Sequence, residues 1–229
     1  MDMKACVLIP SYNVGQTIGD VVKKIKGMGL EVIVVDDGST DDTERAASEN
    51  GAIVMKHIKN LGKGASIKEG FEFMLKMTNF DTVIIMDGDG QHDPDDIKKF
   101  ISHARERGDD IIIGNRMALT KNMPFVRLAT NKFMSFLLSA MCGQRIPDTQ
   151  CGFRLIKRKI LEKIKFESNK YDLESEILIK VSRMNFRIAS VPIETIYRNE
   201  LSSIHPVKDT IRFAGLLVKS YFNRYNDNK

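Results

Sequence analysis

The chain has 229 residues, 42% apolar and 28% charged, the profile of a soluble globular protein with a core of its own. Its net charge of +5 and sequence pI of about 9.0 suit either a plain solvated basic surface or an anionic partner: a phosphate-bearing ligand or a membrane surface. The three cysteines Cys6, Cys142 and Cys151 argue by odd number and wide spacing against a disulfide framework or a structural zinc site, and with no tryptophan, RNP pattern or zinc finger, nucleic acid is not an expected partner.

The opening MDMKACVLIP runs straight into a strand and does not read as a signal peptide. Short β-branched runs then read as buried parallel strands at 5–10, 31–36, 52–57, 82–87 and 110–115. Helical spacing falls between them. Ile18, Val21, Val22 and Ile25 place a helix over 17–28. A second spans 40–50, with Ser39 or Thr40 as cap, and a third spans 63–76. A fourth spans 94–107, with Asp93 as cap and Pro94 at its first position. Further on, 125–142, 174–184 and 207–225 read as helices, and 151–156 and 186–197 as strands. The most apolar stretch, 133–142, is far shorter than the ~20 residues of a membrane-spanning helix. A cytoplasmic protein is expected, touching the inner face of the cell membrane only at its surface.

Strand–helix alternation implies one α/β domain with a mostly parallel sheet flanked by helices. Ligands of such sheets bind beyond the carboxyl ends of the strands, and the residues that carry chemistry follow the strands here. Asp87 and Asp89 end a buried strand two residues apart, Gly88 and Gly90 let a ligand approach the backbone, and Gln91 adds a neutral oxygen. Such oxygens suit Mg²⁺ or Mn²⁺ bridging to phosphates; a solvated acidic turn is the plainer alternative. Asp36 and Asp37 end another strand and can accept from a base or ribose, with capping as the explanation for Ser39 and Asp41. Tyr12 suits a nucleobase face or a core position equally. Lys63, set between glycines at a helix start, favours an anion. Neither a P-loop nor a dinucleotide GxGxxG is present.

Together PSYN (10–13), VVDDGSTDDT (34–43), NLGKG (60–64), MDGDGQHDP (86–94), IIGNR (112–116) and DTQCGFR (148–154) resemble the family-2 glycosyltransferases of GT-A fold. The similarity is greatest to dolichyl-phosphate mannose synthase-like enzymes and runs from Cys6 to about Phe213. It implies an inverting, metal-dependent transfer of a sugar from GDP-mannose or a UDP-sugar to a polyprenyl or dolichyl phosphate. It implies that Pro10, Tyr12, Val35 and Asp37 hold base and ribose, that Asp87 with Gly88 faces the nucleotide, and that Asp89 and Gln91 bind Mg²⁺ or Mn²⁺. Arg116 then lies near the diphosphate and the incoming phosphate, and Arg127 holds the acceptor phosphate. Residues 1–116 become the nucleotide-sugar half and 117–229 the acceptor half.

Two departures leave the sugar and base open: Val14 stands where these synthases often carry Glu, and 197–206 is less basic. An anionic phosphate acceptor needs no general base; a sugar hydroxyl would need one, from Asp148 or Glu174, unless both are structural. A non-catalytic scaffold is the remaining alternative. Phe125, Leu128, Phe133, Phe136 and Leu137 beside Arg127 and Lys132, and an apolar run with basic residues over 211–222, suit either a membrane interface or core packing.

Overall fold

A computed structural model describes residues 3–76, 79–120, 123–167 and 172–196. Strands β1 (Ala5–Ser11), β2 (Glu31–Asp36) and β3 (Ile53–Lys56) alternate with helices α1 (Ile18–Lys26), α2 (Thr43–Glu49) and α3 (Lys63–Lys76). Strand β4 (Thr82–Ile85), helix α4 (Ile97–Arg107) and strand β5 (Ile111–Asn115) follow. The rest comprises α5 (Phe125–Cys142), β6 (Arg154–Lys157), α6 (Arg158–Lys163), α7 (Asp172–Arg183) and β7 (Ile188–Pro192).

The seven strands form one sheet in the order β3-β2-β1-β4-β6-β5-β7. The mostly parallel sheet is borne out, and β6 is the exception: it runs antiparallel to both β4 and β5. Strands β1, β2 and β4 are buried almost throughout, as covered parallel strands must be. Helix α1 packs against α2, and α3 against α6 and α7. The expected stripe of α1, Ile18, Val21, Val22 and Ile25, is fully buried, worth about 1.5–3 kcal/mol per side chain.

Several boundaries differ from expectation. Helix α2 begins at Thr43, and neither Ser39 nor Thr40 caps it. Those residues serve the neighbouring loop instead: Ser39 Oγ accepts from Asn13 N at 2.9 Å, and Thr40 N donates to Asn13 Oδ1 at 3.0 Å. Asp93 does cap, accepting from Asp95 N at 3.0 Å, but a 3-10 turn over Pro94–Asp96 precedes α4. Strands β6 and β7 are shorter than expected, and α6 was not anticipated. The segments 207–225 and 211–222 lie outside the described residues.

After β1 the chain builds β2 and β3 outward on one side, then returns to lay β4 on the other side of β1. The carboxyl ends of β1 and β4 thus flank a topological switch point, where a crevice opens in sheets of this kind.

Candidate active site

The β1 end supplies Pro10, within the strand, and Tyr12, whose side chain is half exposed. Val35 lies beside Pro10 in the β1–β2 register and is fully buried. A base pocket at this edge would meet it only as wall or backbone. Tyr12 is the exposed aromatic face at this edge, so the core alternative does not hold for it.

Asp36 is fully buried and spends Oδ1 on Ser39 N at 2.9 Å. Asp37 is also buried, but its carboxylate organises the following loop: Oδ1 accepts from Leu61 N at 2.7 Å and Oδ2 from Gly62 N at 2.8 Å. His57 Nδ1 stands 2.7 Å from the same Oδ1.

The β4 end carries the DGDGQ turn. Thr17 Oγ1 donates to Gly88 O at 2.7 Å, and Gln91 N to Asp89 Oδ1 at 2.9 Å. Asp89 and Gln91 are partly exposed. Asp87 pairs with Lys63 Nζ at 2.6 Å, and Lys63 also reaches Glu174 Oε1 at 2.8 Å. Lys63, expected to greet an anion, is thus held between two acids. Gly152 makes this close packing possible: a Cβ there would lie 2.8 Å from Asp87 Oδ2 and 2.9 Å from Lys63 Nζ.

Electrostatics follow from this geometry. Burial would raise the Asp87 carboxyl, but the charge of Lys63, helped by His92 and Arg116, holds it down at about 2. Burial lowers the Lys63 ammonium, and the two acids outweigh that and raise it. Burial pushes His92 down to about 4 against the pull of Asp87, so near neutral pH it is an uncharged ring. That ring packs 5.2 Å from Phe153, with Nδ1 4.0 Å from Asp87 Oδ2 and without a hydrogen-bond partner.

Arg116 follows β5 and is buried. Its Nε and Nη2 grip Asp148 at 2.7 and 2.9 Å, and its backbone N adds a bond at 3.1 Å. Three of its five guanidinium N–H groups lie outside this fork. Asp148, a base candidate for a hydroxyl acceptor, is fully buried under that fork; the structural alternative holds for it. Glu174 is tied to Lys63, with Arg154 Nη2 3.9 Å away. Arg154 itself is fully buried and donates to the carbonyls of Cys151, Thr149 and Glu174 at 2.6–2.8 Å.

Pro10, Tyr12, Asp37, Lys63, Asp87, Gly88, Asp89 and Gln91 thus gather around the ends of β1, β2 and β4. Arg116 joins them from β5, close enough to act on the Asp87 charge. Arg127 lies on the first turn of α5, half buried. Sequence reasoning missed His57, Glu69, Gly152 and Arg154. Of these, Gly152 and Arg154 stood inside the DTQCGFR run.

The three cysteines are free and buried, and burial pushes the Cys6 and Cys151 thiols up to about 12. They are inert at neutral pH. No helix among the described residues is long and apolar enough to cross a membrane.

The family described as "Glycosyl transferase family 2" matches residues 6–165. The UDP-N-acetylglucosamine–dolichyl-phosphate N-acetylglucosaminyltransferase of Methanococcus voltae is 29% identical, covering 83% of this chain and 85% of that protein. The polyprenol monophosphomannose synthase of Mycolicibacterium smegmatis is 28% identical, covering 95% and 86%. Among solved structures, glucosyl-3-phosphoglycerate synthase from Mycobacterium tuberculosis, in complex with Mn²⁺, UDP and phosphoglyceric acid, superposes with a TM-score of 0.73. It is 20% identical, with 97% of this chain and 78% of that one covered, a likeness of fold. The architecture is the GT-A fold expected from the motifs, and the chain belongs to glycosyl transferase family 2, whose members are glycosyltransferases.

Proposed function

We propose that the chain moves a sugar from a nucleoside diphosphate sugar to a polyprenyl phosphate. The observation that carries this reading is the Asp87-Gly88-Asp89 turn at the switch point, with its charges already paired. Lys63, Arg116 and Arg154 are matched by Asp87, Asp148 and Glu174. A diphosphate entering this crevice meets little surplus positive charge.

Asp89 lies two residues beyond Asp87 on the same glycine-rich turn, and it and Gln91 are partly exposed. Among the described residues no group of three or more His, Cys, Asp and Glu side chains forms a self-sufficient metal cage. The donor set fits a hard cation that shares its shell with phosphate oxygens, as Mg²⁺ commonly does. Asp89 and Gln91 would hold Mg²⁺ or Mn²⁺, which when bound offsets charge on the leaving diphosphate. Pro10, Tyr12, Val35 and Asp37 form the base and ribose side of the pocket, and Asp87 with Gly88 the nucleotide-facing floor.

Arg116, fixed by Asp148, points its remaining N–H groups to the diphosphate and the incoming phosphate. Arg127 takes the acceptor phosphate. A phosphate acceptor is already anionic near neutral pH, its second pKa being about 6, so no side chain is needed as base. That agrees with the engagement of both Asp148 and Glu174 in ion pairs. In-line attack on the anomeric carbon inverts it. The first half of the chain serves the donor and the second the acceptor. Two relatives named for dolichyl-phosphate and polyprenol transfer support the acceptor class; they differ in sugar, so the donor is open between UDP-sugars and GDP-mannose.

A thermal-shift screen of UDP- and GDP-sugars with and without Mn²⁺ tests the reading. A donor at 100 times its Kd stabilises the fold by about 2.7 kcal/mol. The Mn²⁺-dependent part of the shift is lost in Asp89→Asn, and transfer falls at least roughly 100-fold. No shift with any nucleotide, or full activity in Asp89→Asn, sinks it.

A further inference from the structure

We infer that His57 is a positioning residue of the donor pocket: gripped between Glu69 and Asp37, it fixes the Asp37 carboxylate and the loop that leads into Lys63. The inference rests on the reading of Asp37 as a base- or ribose-facing acid.

His57 follows β3 and its ring is buried. Nδ1 lies 2.7 Å from Asp37 Oδ1 and Nε2 2.7 Å from Glu69 Oε2. An ionised carboxylate only accepts, and a neutral imidazole donates from one nitrogen. Both short contacts are therefore donated together by an imidazolium, and such charge-assisted bonds are the strong ones. Burial acts to lower the His57 pKa, and the hydrogen bonds and charges of Asp37 and Glu69 outweigh it and raise it.

The consequence is geometric. A carboxylate offers about four acceptor positions. On Asp37, His57 and Leu61 N take Oδ1, while Gly62 N takes one position on Oδ2. One position, on Oδ2, is left for a ligand. The same carboxylate holds the amides directly before Lys63, and Lys63 in turn holds Asp87. Both ends of this chain of contacts lie on α3, which carries Glu69 and Lys63. His57 thus ties the base side of the pocket to its nucleotide-facing floor without touching the donor.

Two amide variants separate its nitrogens. In His57→Asn the side-chain amide lies near Nδ1 and keeps the bond to Asp37. In His57→Gln it lies near Nε2 and keeps the one to Glu69. Calorimetric titration with UDP and GDP in Mn²⁺ should find nucleotide binding weakened about tenfold in His57→Gln. Binding in His57→Asn should stay within about threefold of wild type. The donor KM should follow, with kcat at saturating donor unchanged. Hydrogen exchange of the Leu61 and Gly62 amides, read without nucleotide, should quicken in His57→Gln and not in His57→Asn. His57→Ala, which also drops the Asp37 bond and adds no polar group, is the variant to read if His57→Gln does not fold. It should quicken the same two amides and weaken binding by about tenfold. Wild-type affinity and unchanged Leu61 and Gly62 exchange in His57→Gln, or in His57→Ala when that is the variant read, overturn the inference. If wild-type protein binds neither nucleotide, the donor reading fails, and the exchange pattern alone decides whether His57 holds the loop.

Discussion

Lys63 lies where an anion-binding lysine was expected, yet its ammonium is already shared between Asp87 and Glu174. A buried cation between two acids works as a counter-charge: it keeps Asp87 ionised in a place where burial alone would protonate it. The acids at the strand ends were legible because alternation of strands and helices fixes where strand ends point. Their partners were not. The pairs Lys63–Glu174, Arg116–Asp148 and Asp37–His57 join residues distant in sequence, and no local pattern marks which charges meet. His57 offers a pH test at this scale. Its folded pKa lies above the unfolded value of about 6.5. Between those two values the folded state binds more protons, so the contribution to stability is full below about 6.5 and is lost as pH rises through the folded pKa. Urea unfolding of wild type and His57→Phe should therefore differ most near pH 6 and converge as pH rises through the folded pKa. A gap independent of pH would show that the ring contributes only packing.

At the scale of elements, periodicity placed β1, β2, α1 and α3 closely, because each buries one continuous apolar stripe or run. It did not reveal the direction of β6, since a four-residue run looks the same read either way. Nor did it reveal that Ser39 and Thr40 bond across to the β1–α1 loop, because a hydroxyl near a helix start is also what a cap requires. The contact of α3 with β1 turns on Gly70, where a Cβ would stand 2.4 Å from Leu8 Cδ1 and 2.8 Å from Cδ2. Leu8 is fully buried in the central strand and has little room to yield. Alanine gains up to about 1 kcal/mol over glycine within a helix, while overpacking a close-packed core costs about 1–3 kcal/mol. Gly70→Ala should thus be destabilised by about 1–2 kcal/mol in urea melts. A more stable variant would mean that α3 can shift away from the sheet without cost.

Across the whole molecule, the donor crevice and the outer face of α5 belong to one design if the acceptor is a lipid phosphate. Helix α5 buries Asn131, Met134, Ser135, Leu138 and Cys142. Its other side leaves Phe125 at 81%, Val126 at 67%, Phe133 at 57% and Phe136 at 70% exposure. Core packing within the described chain therefore does not account for these side chains, whereas Leu128 and Leu137 are half buried. Arg127 and Lys132 sit on the same helix, and the chain carries a net charge of +5. An apolar face bordered by a cation, here Lys132, is what holds a helix in the plane of an anionic bilayer surface; Arg127 falls on the other side of the helix, between Met134 and Leu138. Phe133→Asp with Phe136→Asp tests this, because both side chains are exposed and the substitutions should move Tm by no more than about 2 °C. Wild-type protein should sediment with vesicles containing anionic lipid, less so at 0.5 M salt, where the Debye length falls to roughly 4 Å. The double variant should lose at least roughly tenfold in vesicle affinity. Its transfer to a short, water-soluble prenyl phosphate should be retained, since neither phenylalanine belongs to the donor site. Equal vesicle binding by variant and wild type would remove the membrane from the reading and leave this face to another partner.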